Sequence, residues 1–121
     1  MPNQVQQTGV EQTKIQWVAG RFETPFAVRQ GVASESADVV VCADLTRDLV
    51  LGAQVILRDA PDSAVVDCLR GVALQHRFEL GNTRPVVRIA NKRIAALARE
   101  RLKGLVDVRT AATPELDPIV E

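Results

Sequence analysis

Aromatic side chains make up only 3% of the 121 residues, and Trp17 is the single tryptophan. So few rings leave little for stacking on bases, and the core has to come from Val, Leu, Ile and Ala. Cysteine is scarce as well, with Cys42 and Cys68 alone. Two thiols permit one disulfide at most. They form no CxxC pair, and with His76 the only histidine they argue against a structural zinc site. Cys42 falls in an apolar strand pattern and Cys68 in an apolar helical stripe, where free cysteine acts as a small hydrophobe. No apolar run is long enough to span a bilayer as a helix, so membrane insertion is not expected. The opening MPNQVQQTGVEQTK has neither the basic start nor the apolar stretch of a signal peptide. As written, the chain reads as cytoplasmic, or as periplasmic if it is a domain excised from an exported protein. A charge excess is also missing, since fifteen basic residues meet fifteen acidic ones. That balance argues against a nucleic-acid binder steered by its total charge.

What is present suits one ordinary domain. A chain of 121 residues with 46% hydrophobic and 25% charged residues can build its own core without a metal or disulfide staple. Residues 1–13 read as a flexible lead-in, 14–110 as a single domain, and 111–121 as an acidic, proline-containing tail. Ile15 to Phe22 fits a strand, and Phe26 to Ser34, after Pro25, fits a helix. DVVVCAD over Asp38–Asp44 is the clearest strand, because a β-branched run bounded by charge suits a central position. AQVILRD alternates Ala53, Val55 and Leu57 with Gln54, Ile56 and Arg58, as a half-buried strand does. Pro61 and Asp62 suit a helix start, and Ala64, Val65, Cys68, Leu69 and Val72 form the stripe of a helix ending at Gly71. Leu74, His76, Phe78 and Leu80 then alternate as a strand, hairpinned at Gly81-Asn82 to a strand over Pro85–Ala90. Asn91 can cap a last helix whose apolar face is Ile94, Leu97, Ala98, Leu102 and Leu105, and Val106 to Thr110 can add an edge strand. The sum is an α+β fold: a small βαββαββ sandwich, two helices packed on mixed short sheets, and a C-terminal amphipathic helix.

The segment GAQVILRDAPDSAVVDCLRGVALQHRFELGNTRPVVRIA resembles the short N-terminal domain shared by bacterial secretins and TonB-dependent signalling receptors. The likeness covers the middle two thirds of the chain. Its carriers are the strand end Asp59-Ala60-Pro61, the helix stripe Ala64, Val65, Cys68 and Leu69, and Gly71-Val72-Ala73-Leu74 leading to Phe78, Gly81 and the strand at Val86 to Ile89. Asp62 and Ser63 depart from the family's usual leucine and glutamine. The resemblance implies a docking module without enzymatic activity, working within a multi-subunit envelope assembly, and a fold held by Ala60, Pro61, Leu69, Val72, Phe78 and Val87.

Candidate chemistry is thin. His76 has no second histidine, and Cys68 with His76 would make a nucleophile and base without an orienting group. Asp44, Asp48, Asp59, Asp62 and Asp67 match no calcium loop, although Asp59 and Asp62 could share a cation if their side chains converged. Neither a cofactor nor a small-molecule substrate is expected, and the chain is not read as an enzyme. The strongest exposed feature is the basic stretch from Arg84 to Lys103. The expected function is a non-catalytic protein-interaction or assembly module, self-associating or docking a protein partner. Its expected contact residues are Arg88, Lys92, Arg93, Arg99, Arg101, Lys103, Val106 and Val108, with the strand at Val106–Thr110 or Ile15–Phe22 as an open edge. The alternative is a nucleic-acid-binding accessory domain that uses the basic stripe.

Overall fold

The computed structural model describes residues 15–30 and 33–117, with the main chain alone at 25–30 and 33–34. The expected lead-in over 1–13 and the end of the tail past Asp117 lie outside the described residues. One mixed sheet organises the molecule, in the order β3-β2-β1-β4-β5. Its strands are β1 (Gln16–Gln30), β2 (Ala33–Asp44), β3 (Leu49–Leu57), β4 (Val86–Ile89) and β5 (Asp107–Thr110). The first three form an antiparallel meander, while β4 runs parallel to β1 and β5 parallel to β4. Parallel neighbours need crossovers, and helices supply them. Helix α1 (Asp62–Gln75) and the short α2 (Arg77–Leu80) join β3 to β4, and α3 (Lys92–Arg101) joins β4 to β5. The α+β class, with a mixed sheet and helices packed on it, is the expected one, although the order of elements differs.

Strand β2 explains why DVVVCAD is apolar without a break. Val40 and Cys42 join a cluster beneath the helices with Trp17, Val65, Leu69, Ile89, Ala98 and Leu102. Val41 and Ala43 turn to the other face and pack with Val18 and Leu116. A strand buried on both faces has no polar side to show. The acidic tail contributes Leu116, which lies in a short 3₁₀ turn over Pro114–Leu116 and is fully buried. Packed structure therefore continues past residue 110.

Two local expectations need correction. The helix expected over Phe26–Ser34 is instead strand on both sides of the β1–β2 hairpin, with Ala27 opposite Ser36 and Gln30 opposite Ala33. The partly periodic FAVRQ was compatible with either state, and pairing with β2 decides it. Pro25 falls in the break of that ladder between Glu23 and Ala27, where its missing N–H does least harm. The strand expected over Leu74–Leu80 is instead the end of α1 followed by α2. Val66, Leu69, Ala73 and Leu80 are all buried on helical spacing, whereas Phe78 is wholly exposed. Of the alternating residues only Leu80 is buried, so the alternation marked no buried strand face. Phe78 consequently holds nothing in the fold, Gly71 lies inside α1 rather than at its end, and no hairpin precedes β4.

The expected cap of the last helix is present. Asn91 caps α3 by accepting from the main-chain N–H of Arg93 at 2.9 Å and of Ile94 at 3.1 Å. Both thiols are free. No described helix is long and apolar enough to cross a membrane.

Candidate interaction surface

Any sheet of five strands has two rims, and here they are β5 and β3. The strand at Ile15–Phe22, one of the two expected open edges, is not a rim, because β1 is paired on one side by β2 and on the other by β4. β5 is a rim, but a short and guarded one. Arg99 reaches from α3 to the Val108 carbonyl at 3.3 Å and to the Thr110 hydroxyl at 2.7 Å. Charged Asp107 and Arg109 flank Val108. Short length, charge and a covering side chain are the usual ways of blunting an edge.

β3 is longer and uncharged, since LVLGAQVIL carries no charge and no proline, and what covers it is confined to its ends. Its ladder with β2 fixes which groups are open. The Arg58 N–H donates to the Ser36 carbonyl at 2.9 Å. In an antiparallel pair, bonded and non-bonded positions alternate, so Ile56, Gln54 and Gly52 direct their main-chain groups at β2. Val55 and Ala53, opposite Val39 and Val41, direct theirs outward. The open stretch is limited at both ends. An irregularity between Cys42 and Ala43 inserts Leu51 into the rim, and the Leu57 carbonyl already accepts from the Arg21 guanidinium at 3.3 Å. Beside this stretch the side chains of Val50 and Val55 are 48% and 58% exposed. By the same alternation Val55 shares the face of Val39 and Val41, away from the helices.

On the helical face, β3 borders a cleft of about 290 Å³ against α1, lined by Leu51, Gly52, Gln54, Cys68, Val72 and Gln75 among others. Gly52 is what lets the helix come so close, because a Cβ there would sit 3.1 Å from Val72 Cγ2. Cys42 and Cys68 also line this cleft. Burial, with a further push from the Asp44 carboxylate, raises the Cys42 thiol to about 12. Burial and then the Asp67 charge raise that of Cys68. Both stay protonated at neutral pH, so neither is an activated nucleophile.

At its far end β3 is pinned by an ion network. Asp38 on β2 accepts from Arg21 Nε at 2.7 Å and from Arg58 Nε at 3.0 Å, and Arg21 also reaches Asp62 at 3.3 Å. Asp38 and Arg21 are nearly buried, with side chains 7% and 12% exposed. Burial alone would raise the Asp38 carboxyl, but hydrogen bonds and charge from Arg21 and Arg58 outweigh it and hold the group below its ordinary value. Asp62, considered with Asp59 for a cation, spends its carboxylate on Arg21. Among the described residues no three His, Cys, Asp or Glu side chains come together in a metal-binding group. His76, far from this network, pairs its Nδ1 with Glu79 at 2.7 Å, and Glu79 also meets Arg47.

The basic stripe divides. Val87 and Ile89 face the helices, so Arg88 between them faces the opposite side of the sheet, where it binds the Ala112 carbonyl and the Glu115 carboxylate. Arg99 is committed to β5. Lys92 and Arg93 open α3 and Arg101 closes it, with Lys103 just beyond, all exposed. Those two ends lie about 15 Å apart at the rise of an α-helix. Val106 is 5% exposed and belongs to the core, while Val108 is half-buried on the guarded rim. Nothing in the local sequence pattern placed the open edge at Ala53–Val55; the absence of charge from LVLGAQVIL was the only hint.

No family model and no curated protein matches this chain.

Proposed function

We propose that this chain is a non-catalytic protein-interaction module whose partner adds a strand to the open rim of β3. The supporting observation is the nine-residue uncharged rim itself, with the main-chain groups of Ala53 and Val55 turned outward beside exposed Val50 and Val55. In strand addition, main-chain bonds supply affinity and alternate side chains supply specificity. An added strand here would lay every second side chain over Val55 and the others toward the cleft between β3 and α1. The resemblance to secretin-type domains implies a docking role, and this reading places the docking edge at β3. Nucleic-acid binding is less well supported, because Arg88 and Arg99 are already paired and face different neighbours.

The test is a selection of displayed peptides on the folded chain, followed by binding to a Val55→Pro variant. The Val55 N–H points away from β2, so proline there removes an outward donor and leaves the inner ladder in place. Selected peptides are expected to be extended, with alternating apolar residues, and to lose at least tenfold in affinity for the variant, since one main-chain bond and its neighbours are removed. Peptides that bind both forms equally would reject the reading.

A further inference from the structure

We infer that the strand accepted by β3 is the β3 of a second copy of this chain, paired antiparallel about a twofold axis at Gln54. The inference rests on the strand-addition reading and names its occupant. Three observations support this partner. The chain carries no net charge, so two copies approach without overall repulsion. β3 is itself uncharged, so no like charges face each other when the strand meets its own image. Most specifically, the open stretch is symmetric in what it offers. Leu51 sits in the irregular part of the rim and the Leu57 carbonyl is taken by Arg21, which leaves Ala53 and Val55 as the outward-facing pair.

Only one antiparallel register lets those two residues satisfy each other. With the axis at Gln54, Ala53 of each copy lies opposite Val55 of the other, and each pair exchanges N–H and C=O bonds in both directions. Centring on Ala53 or on Val55 would set one of them against Leu51 or Leu57, where the main chain is irregular or occupied. The side chains suit this register too. Exposed Val55 meets small Ala53 on the face away from the helices, and the Gln54 amides meet across the axis on the helical face, beside the cleft. Closed twofold pairing also consumes the rim, so growth stops at two copies. The contact is small, so association is reversible and visible only as concentration rises.

The register gives the experiment. Sedimentation of the full wild-type chain from dilute to millimolar concentration is expected to show its mass rising from 13.2 kDa toward twice that value. Gln54 is an exposed rim residue whose side chain makes no hydrogen bond among those described, so Gln54→Lys and Gln54→Glu should fold normally, as circular dichroism would verify. Each variant alone places like charges directly across the axis and is expected to remain a monomer. An equimolar mixture of the two is expected to recover the dimer, because opposite charges then face each other. A wild-type chain that stays monomeric throughout, or a Gln54→Lys variant that dimerises as the wild type does, would overturn the inference. A monomeric wild type that still binds selected strand peptides through Val55 would overturn self-pairing alone and leave the strand-addition reading standing.

Discussion

β3 and β5 hold equivalent places at the two rims of one sheet, yet they differ in length, charge and covering. β5 has four residues, two of them charged, and Arg99 closes over its carbonyl and hydroxyl groups. β3 has nine uncharged residues and leaves Ala53 and Val55 facing out. An unguarded rim normally invites aggregation. Here the open part is kept short by Arg21 at one end and an irregular residue at the other. The comparison teaches that the openness of β3 is bounded, as a specific pairing site requires and a general sticky edge does not.

The ion network beside that bound can be broken first. Arg21→Met strips Asp38 of its closest cation, removes one of the two donors on the Leu57 carbonyl, the Ala60 N–H remaining, and unties Asp62. Leaving a nearly buried carboxylate with one partner is expected to cost roughly 3 kcal/mol in urea unfolding. Because the Ala60 N–H still holds the Leu57 carbonyl, the rim stays bounded at that end, and association of whatever remains folded should not pass beyond a dimer in sedimentation. The same network sets an acid limit. Because the Asp38 carboxyl is lowered in the folded chain, its contribution is complete above the unfolded value of about 3.9 and disappears as pH falls through the folded value. Urea midpoints of the wild type should hold this contribution between about pH 7 and 5 and lose it below about pH 4. In an Asp38→Asn variant that loss should be absent.

The guard on the other rim is a smaller quantity. Arg99→Ala deletes two side-chain bonds at the exposed β5 edge, and a loss of about 1 kcal/mol is expected from the unfolding midpoint. If covering is what separates the rims, this variant should also gain a second mode of association that Gln54→Lys does not abolish. Smallest is Gly71→Ala, on α1 where that helix borders the cleft beside β3. A Cβ at Gly71 meets nothing within 4 Å and the residue lies inside α1, so the change should stabilise the fold by roughly 0.5–1 kcal/mol. The Ala53 and Val55 main-chain groups are not altered by it, so a change in association would report on the cleft beside β3 rather than on the edge itself.

The parts of this fold that could be read locally are those whose cause is local. Asn91 was recognisable as a cap because a cap acts on N–H groups two and three residues away. DVVVCAD was recognisable as a central strand because only a twice-buried strand tolerates such a run. The segment from Leu74 to Leu80 failed because four alternating residues are too few to fix a period, and the helices bury Ala73 and Leu80 while Leu74 and Phe78 are exposed. Of the candidate surface only the missing charge of LVLGAQVIL was legible. Which strand lies at a rim depends on pairings such as Val18 with Arg88, far apart in sequence, and the Arg21–Asp38 pair that bounds the open stretch joins residues 17 apart.

The central claim is that Ala53 and Val55 present free main-chain groups while their neighbours are bonded to β2. Amide hydrogen exchange followed residue by residue by NMR tests it most directly. In dilute solution the Ala53 and Val55 amides should exchange quickly and those of Gln54 and Ile56 slowly, and as concentration rises the first pair should slow toward the second. Slow exchange of all four in dilute solution, or fast exchange of Ala53 and Val55 at every concentration, would contradict the account.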